Sequence, residues 1–285
     1  VRPDLVSVLR CPVCGEDLGL HGRTAKCERG HSYDLAKQGY LNLLPSASTG
    51  IEGDTAEMIE ARSTFLAAGS YSPIRDALIA NTPEELDLAQ LDRGDGELVV
   101  EVGAGTAYYL AGVVAARTGW RGIALDVSRY AARRAAKVDP RIGAVVCDAW
   151  RELPLRDEVA QVILNVFAPR NAQEMARILA PGGTLLVVTP NQTHLGELVD
   201  VLGLVRVDQE KERRLTESLS GFQRTTDEAV EVTMRLDHRS IERLVAMTPS
   251  ARHLDQTERA ERIAVLADPA EVTLSVTVSA WQVVA

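Results

Sequence analysis

The stretch Leu98-Val-Val-Glu-Val-Gly-Ala-Gly-Thr-Ala107 decides how this chain folds. An apolar run passes through Glu101 into Gly103, Gly105 and Thr106. Such a run reads as a strand buried on both faces, as in a parallel sheet, followed by a glycine turn and a helix. The glycines permit positive φ and carry no Cβ, so a ligand can lie against the backbone there. Two further apolar runs end in acids: Gly122-Ile-Ala-Leu-Asp126 and Ala144-Val-Val-Cys-Asp148. Outward from the glycine turn, the pattern predicts strands at 98–102, 121–126, 143–147, 159–165 and 183–189, and helices at 107–117, 129–137 and 171–180. This alternation predicts an α/β domain with a parallel or mostly parallel sheet, whose ligands sit at the carboxyl ends of the strands. Pro181-Gly182-Gly183 reads as a helix stop and a turn.

The last third predicts helices at 194–203 and 240–247, a polar stretch at 206–228, and strands at 229–236 and 271–284. The final strand alternates with period two, as an antiparallel or edge strand does. Before the domain, residues 54–68 read as a helix capped by Asp54 or Thr55, and 73–81 as a second helix with Pro73 in its first turn. Pro45–Gly50 reads as a loop, and Asn81–Gly96 as an acidic linker with some helix.

The chain has 285 residues, 46% of them hydrophobic, and a net charge of −9. That length supports one large domain or two modest ones. The acidity argues against indiscriminate binding to nucleic acid, which depends on neutralising phosphates. The acid excess lies beyond residue 45, so a local basic face remains open. No apolar run is long enough to cross a membrane and no signal-peptide pattern is visible, so the expectation is a cytoplasmic protein.

At the amino end stands Cys11-Pro-Val-Cys14, then Cys27 and His31. The spacing presents two pairs of ligands in two knuckles, a Cys3His set suited to tetrahedral zinc. Four protein ligands leave no open position, so the metal is expected to be structural. Gly15 and Gly30 suit turns that aim backbone amides at the thiolates. So short a module has little core of its own, and the metal should supply much of its folding energy. The run Ser32–Leu44, with Tyr33, Lys37, Tyr40 and Asn42, admits two readings: an RNA-contacting surface or a strand packing the module against its neighbour.

The glycine loop with three strand-end acids resembles the cofactor half of a class I (Rossmann-like) S-adenosylmethionine-dependent methyltransferase, although Tyr108 stands where a dinucleotide fold has its third glycine. The resemblance implies that Glu101 meets the methionine ammonium, Asp126 the ribose hydroxyls, and Asp148 the adenine amino group. Gly103, Gly105, Thr106, Val127 and Ala149 complete that site. Each acid read alone is equally a helix cap. Ile163-Leu-Asn-Val-Phe-Ala-Pro169 replaces the Asn/Asp-Pro-Pro-aromatic motif of amino-methylating enzymes, which argues against exocyclic-amine chemistry. It leaves Asn165 as a candidate for cofactor positioning or catalysis.

Taken together, the knuckle, Asp34-Leu-Ala-Lys-Gln-Gly-Tyr-Leu-Asn-Leu-Leu44, Asp54 to Arg62, the glycine loop, Phe167-Ala-Pro169, Thr-Pro190 with His194, and Met247-Thr-Pro249 resemble the 23S rRNA guanine-N1 methyltransferases of the RlmA/TlrB type. Trp150–Arg156 and Asn165–Asn171 look closer to the macrolide-resistance branch, whose members modify guanine 748 in the hairpin 35 loop; the other branch modifies guanine 745. The resemblance implies three parts: a zinc-binding RNA-recognition module (1–45), a helical linker (46–96) and a methyltransferase domain (97–285). It also implies a homodimer that forms the RNA cleft jointly. His194, just past the fifth strand, is a candidate base for the guanine N1 proton. Lys37, Tyr40, Arg62, Arg170 and Arg252 are candidates for RNA contact. Two rival functions stand beside this one: a small-molecule methyltransferase of antibiotic biosynthesis, favoured by an enclosed apolar pocket, and a non-catalytic zinc-dependent RNA-binding module.

Overall fold

A computed structural model describes residues 2–45, 52–83, 96–204, 210–248 and 256–284. The loop at 46–50, most of the predicted linker, Pro249 and Arg252 lie outside the described residues.

The amino-terminal module comprises α1 (Pro3–Val6) and a three-stranded antiparallel sheet of β1 (Gly19–His21), β2 (Thr24–Lys26) and β3 (Ser32–Asp34). Then follow β4 (Leu41–Asn42), α2 (Ala56–Ala67) and α3 (Ser72–Ala80). The αβ alternation runs β5 (Leu98–Val102), α4 (Tyr108–Ala116), β6 (Arg121–Asp126), α5 (Arg129–Ala135), β7 (Ile142–Val146), β8 (Ala160–Val166), α6 (Ala172–Ile178), β9 (Leu179–Pro190). The chain ends with α7 (Gly196–Leu202), α8 (Lys211–Ser218), β10 (Phe222–Leu236), α9 (His238–Ala246), α10 (Gln256–Ala264) and β11 (Ala270–Val283).

The large sheet has the order β10-β11-β9-β8-β5-β6-β7-β4; β11 pairs antiparallel with both β10 and β9, and all other pairs are parallel. Strand order reverses direction between β5 and β8, which opens a crevice at their carboxyl ends. Strand residues alternate between two apolar clusters. Val99, Ala124 and Leu164 join Leu78, Leu110, Leu198 and Leu244 of α3, α4, α7 and α9. Leu98, Val100, Ile123 and Ile163 join Leu5, Met175 and Leu215 of α1, α6 and α8. Among the described residues no helix is long and apolar enough to cross a membrane.

The structure differs from the sequence reading at several places, α10 among them, since no helix is predicted at 256–264. Leu41–Asn42 pairs parallel with Val145–Val146, so β4 belongs to the large sheet although it falls inside the module expected to end at 45. Backbone hydrogen bonds from Arg10 to Pro154 and from Arg156 to Val8 stitch the module to the domain at a second place. The predicted polar stretch contains α8, and β10 begins at Phe222 rather than 229. Pro181–Gly183 falls within β9, where the pairing with β8 shifts register between Ala160 and Val162.

Candidate functional site

The ligand atoms of Cys11, Cys14, Cys27 and His31 lie within 4.8 Å of one another. Cys14 Sγ is 3.7 Å from Cys27 Sγ, and His31 Nδ1 is 3.6 and 3.4 Å from the sulfurs of Cys11 and Cys27. A tetrahedron with zinc bond lengths has edges of about 3.8 Å between sulfurs and about 3.6 Å between sulfur and nitrogen. The four side chains therefore fit a zinc ion, bound by His31 through Nδ1. Burial pushes the Cys11 thiol up, but hydrogen bonds from Tyr33 and from the Val13 and Cys14 amides outweigh it and bring the group to about 7. The amides of Gly15 and Gly30 close turns onto the Cys11 and Cys27 carbonyls, and in the first turn the Val13 and Cys14 amides face the Cys11 sulfur and that of Glu16 faces the Cys14 sulfur.

At the β5 terminus, Gly103 and Gly105 have φ of +72° and +53°. A Cβ on Gly103 would lie 2.5 Å from Ala168 Cβ, and one on Gly105 would lie 2.9 Å from Arg62 Nη1. Glycine is thus required at both positions, because Ala168 and Arg62 pack directly on the loop backbone. Glu101 points to the α4 face, 1% exposed, and accepts the Leu110 amide at 3.2 Å. Burial, with the nearby Asp126, raises its carboxyl to about 8 against the Leu110 amide and Arg62. Asp126 accepts the amides of Gly105 and Ser128, both at 2.8 Å. Both oxygens are aimed, and each keeps a lone pair for a hydroxyl. Asp148 accepts the Trp150 amide at 2.9 Å and pairs with Arg151. Ser128 caps α5 and Thr55 caps α2, whereas Glu101, through Leu110, satisfies a first-turn amide of α4 itself.

These groups line one cavity of about 670 Å³ at the crevice, together with Thr106, Val127, Ala149, Tyr71, Phe167 and His194. Its size suits a nucleoside-bearing ligand. His194 accepts the Ser275 amide at Nδ1 (3.2 Å), and Nε2 lies 3.5 Å from the Tyr71 hydroxyl. A ring that accepts at Nδ1 carries its proton at Nε2. In the neutral ring, His194 thus accepts from Ser275 and turns its Nε2–H towards the Tyr71 hydroxyl at the cavity wall. Its ring stacks on Phe167, 6.0 Å between centroids.

Other expected residues fall elsewhere. Asn165 is fully buried and does not line the cavity. Strand alternation turns it to the opposite face from Val166, and its Nδ2 donates to the Pro169 carbonyl at 2.8 Å, fixing the 165–169 turn. Tyr40 is buried in the main apolar cluster and offers no face to a base; Lys37, on the same loop, is exposed. Arg170 is held by Ser218 through Nε and lies off the cavity. Arg62 is inside it, bonded to Asp54 and to the Met247 carbonyl.

The amino-terminal zinc-ribbon model of RlmA matches residues 9–48, and a methyltransferase-domain model matches residues 100–187. The chain is 48% identical, over 97% of both chains, to a Streptomyces fradiae 23S rRNA (guanine(748)-N(1))-methyltransferase. It is 44% identical, over 99% of both, to a putative 23S rRNA (guanine-N(1)-)-methyltransferase of Micromonospora griseorubida. This chain belongs to the 23S rRNA (guanine-N1)-methyltransferase family. A Haloferax volcanii complex of the Trm112 methyltransferase activator with a putative methyltransferase shares the fold: TM-score 0.53, 15% identity, 82% of this chain and 99% of that one.

As a member of that family the chain is an S-adenosylmethionine-dependent methyltransferase with an amino-terminal zinc ribbon. Several features of this family member escape a linear reading. Tyr71, a turn residue 3% exposed, reaches His194 only through the fold. Trp150 lines the cavity yet is 58% exposed, and Phe167, with φ of +52°, is 44% exposed. So bulky a side chain at positive φ is strained, a state that clusters at functional sites. Arg129, Arg133 and Lys137 stand four residues apart and exposed along α5 and the turn after it, starting three residues past Asp126. Among the described residues none of the three has a carboxylate in ion-pair range, whereas Arg134 pairs with Glu60. Arg133 lies over the Tyr130 ring, 5.6 Å from its centroid. Charge spacing alone, without the burial of the intervening alanines, did not separate this row from an ordinary solvated face.

Proposed function

We propose that this chain transfers a methyl group from S-adenosylmethionine to N1 of guanine 748 in the hairpin 35 loop of 23S rRNA, and that the modification confers macrolide resistance. The observation that carries the reading is 48% identity across 97% of the chain to a relative whose name specifies that guanine. The reading includes a cytoplasmic homodimer whose zinc modules and catalytic domains share the RNA cleft.

The cavity supports the chemistry. When bound, S-adenosylmethionine supplies an electrophilic methyl group. Glu101, Asp126 and Asp148 hold its ammonium, ribose and adenine. Phe167 and Trp150 offer ring faces at the cavity mouth to a base splayed from its loop. The Tyr71 hydroxyl, facing His194 Nε2, presents a donor to a carbonyl or carboxylate in the cavity. As guanine N1 bonds to the methyl, the methyl–sulfur bond breaks, S-adenosylhomocysteine leaves and the N1 proton passes to solvent at the cavity mouth; the chain contributes alignment of N1, methyl and sulfur. Outside the mouth, the α5 row and Lys37 supply cations to phosphates on a protein that is acidic overall.

The direct test uses hairpin 35 transcripts that carry guanine or adenine at 748. Labelled methyl should enter the guanine transcript alone. Equal incorporation into both would refute the site assignment.

A further inference from the structure

We propose that Arg62 binds the carboxylate of the cofactor's methionine moiety, a role distinct from the RNA contact its sequence position suggested. The inference rests on the cofactor placement above, in which adenine meets Asp148 and ribose meets Asp126. The amino-acid end then lies on the glycine loop, and the side chain covering that loop is Arg62: its Nη1 is 2.9 Å and its Cδ 3.4 Å from where a Gly105 Cβ would be.

Charge singles out the same residue. Glu52, Asp54, Glu101, Asp126 and Asp148 all line the cavity. Among the described lining residues, Arg62 is the one arginine or lysine. An acidic cavity suits the sulfonium and ammonium of the cofactor but repels its carboxylate. That group needs a cation at the glycine loop, and one is there. Arg62 acts on the site already: it holds down the carboxyls of both Glu101 and Asp126 against burial.

Its position is built. α2 places Arg62 one turn after the buried Met58. Nη1 pairs with Asp54 at 2.6 Å, Nη2 donates to the Met247 carbonyl at 2.8 Å, and the Asp54 carbonyl accepts from Ser128 Oγ at 2.7 Å. The side chain is 25% exposed. A planar guanidinium fixed at two points retains donors for a third acceptor, and charge-assisted bonds of that kind are strong.

The experiment is calorimetric titration of the full-length, zinc-loaded protein with S-adenosylmethionine and with decarboxylated S-adenosylmethionine, which lacks only the carboxylate. Wild type should prefer the intact cofactor by about 10- to 100-fold. Arg62→Gln should bind both with nearly equal, weak affinity, and Arg62→Lys should fall between. A general loosening of the site would weaken both ligands and leave their ratio unchanged. An unchanged ratio in whichever variant folds overturns the proposal, including the case where Arg62→Gln weakens RNA binding instead. Wild type binding neither ligand would also overturn it, and would identify the cofactor placement as the failing step.

Discussion

Glu101 is where burial and function pull in opposite directions. Its carboxyl, ordinarily at 4.5, is raised to about 8 in the ligand-free chain by desolvation. The folded chain therefore holds a proton that the unfolded chain releases between these values, so ligand-free stability falls as pH rises through that window. Glu101→Gln should raise the melting temperature at pH 8, with the gain vanishing near pH 4.5. A cofactor ammonium reverses the preference, because it favours the ionised carboxylate. Cofactor affinity should strengthen by up to about tenfold per pH unit as pH rises from 6 towards 8 and fall again above it, as the ligand's own ammonium loses its proton; the Gln variant should bind weakly and lack the rising limb; titration calorimetry across pH reads both. Gly103→Ala places a methyl 2.5 Å from Ala168 Cβ at a φ of +72°. The strain and displaced turn should weaken cofactor binding by about tenfold or more while the far-ultraviolet dichroism stays native. At this scale the acids, glycines and zinc ligands were legible, because strand ends and knuckle spacing are local patterns. The surroundings of Asn165, Tyr40 and His194 were not. Strand parity, edge pairing and the Ser275 amide decide them, and these are settled by partners far away in sequence.

Among the elements, α5 joins the cofactor crevice to the surface. Ser128 caps it beside Asp126, Ala131, Ala132 and Ala135 pack it inward, and Arg129, Arg133 and Lys137 face out. If these cations meet RNA phosphates, replacing all three with glutamine should lower the slope of log affinity against log salt by about 2 to 3 for a hairpin RNA. Cofactor affinity should not change. An unchanged salt slope in fluorescence anisotropy would remove the row from the RNA surface. The parallel core strands were legible from their apolar runs, because burial on both faces leaves no other composition. β4 was not, since two residues carry no period. It is visible only through its ladder to β7, whose edge it covers.

For the whole molecule, the zinc module and the domain share one apolar cluster. Leu5, Leu9, Leu18 and Leu41 pack with Leu98, Ile123 and Leu153. Metal removal should therefore do more than loosen a small appendage. Chelation, or Cys27→Ser, is expected to lower the main melting transition, increase binding of an apolar dye and abolish RNA binding. An unchanged transition would show the module to be energetically separate. The central claim is that this acidic chain, with its zinc ribbon at the front, modifies one guanine of the ribosome. Primer extension on unmethylated 23S rRNA after incubation with zinc-loaded protein and S-adenosylmethionine tests it most directly, because a methyl at N1 blocks base pairing. The account predicts a cofactor-dependent stop one nucleotide before guanine 748. A full-length product, or a stop at any other guanine, would contradict it.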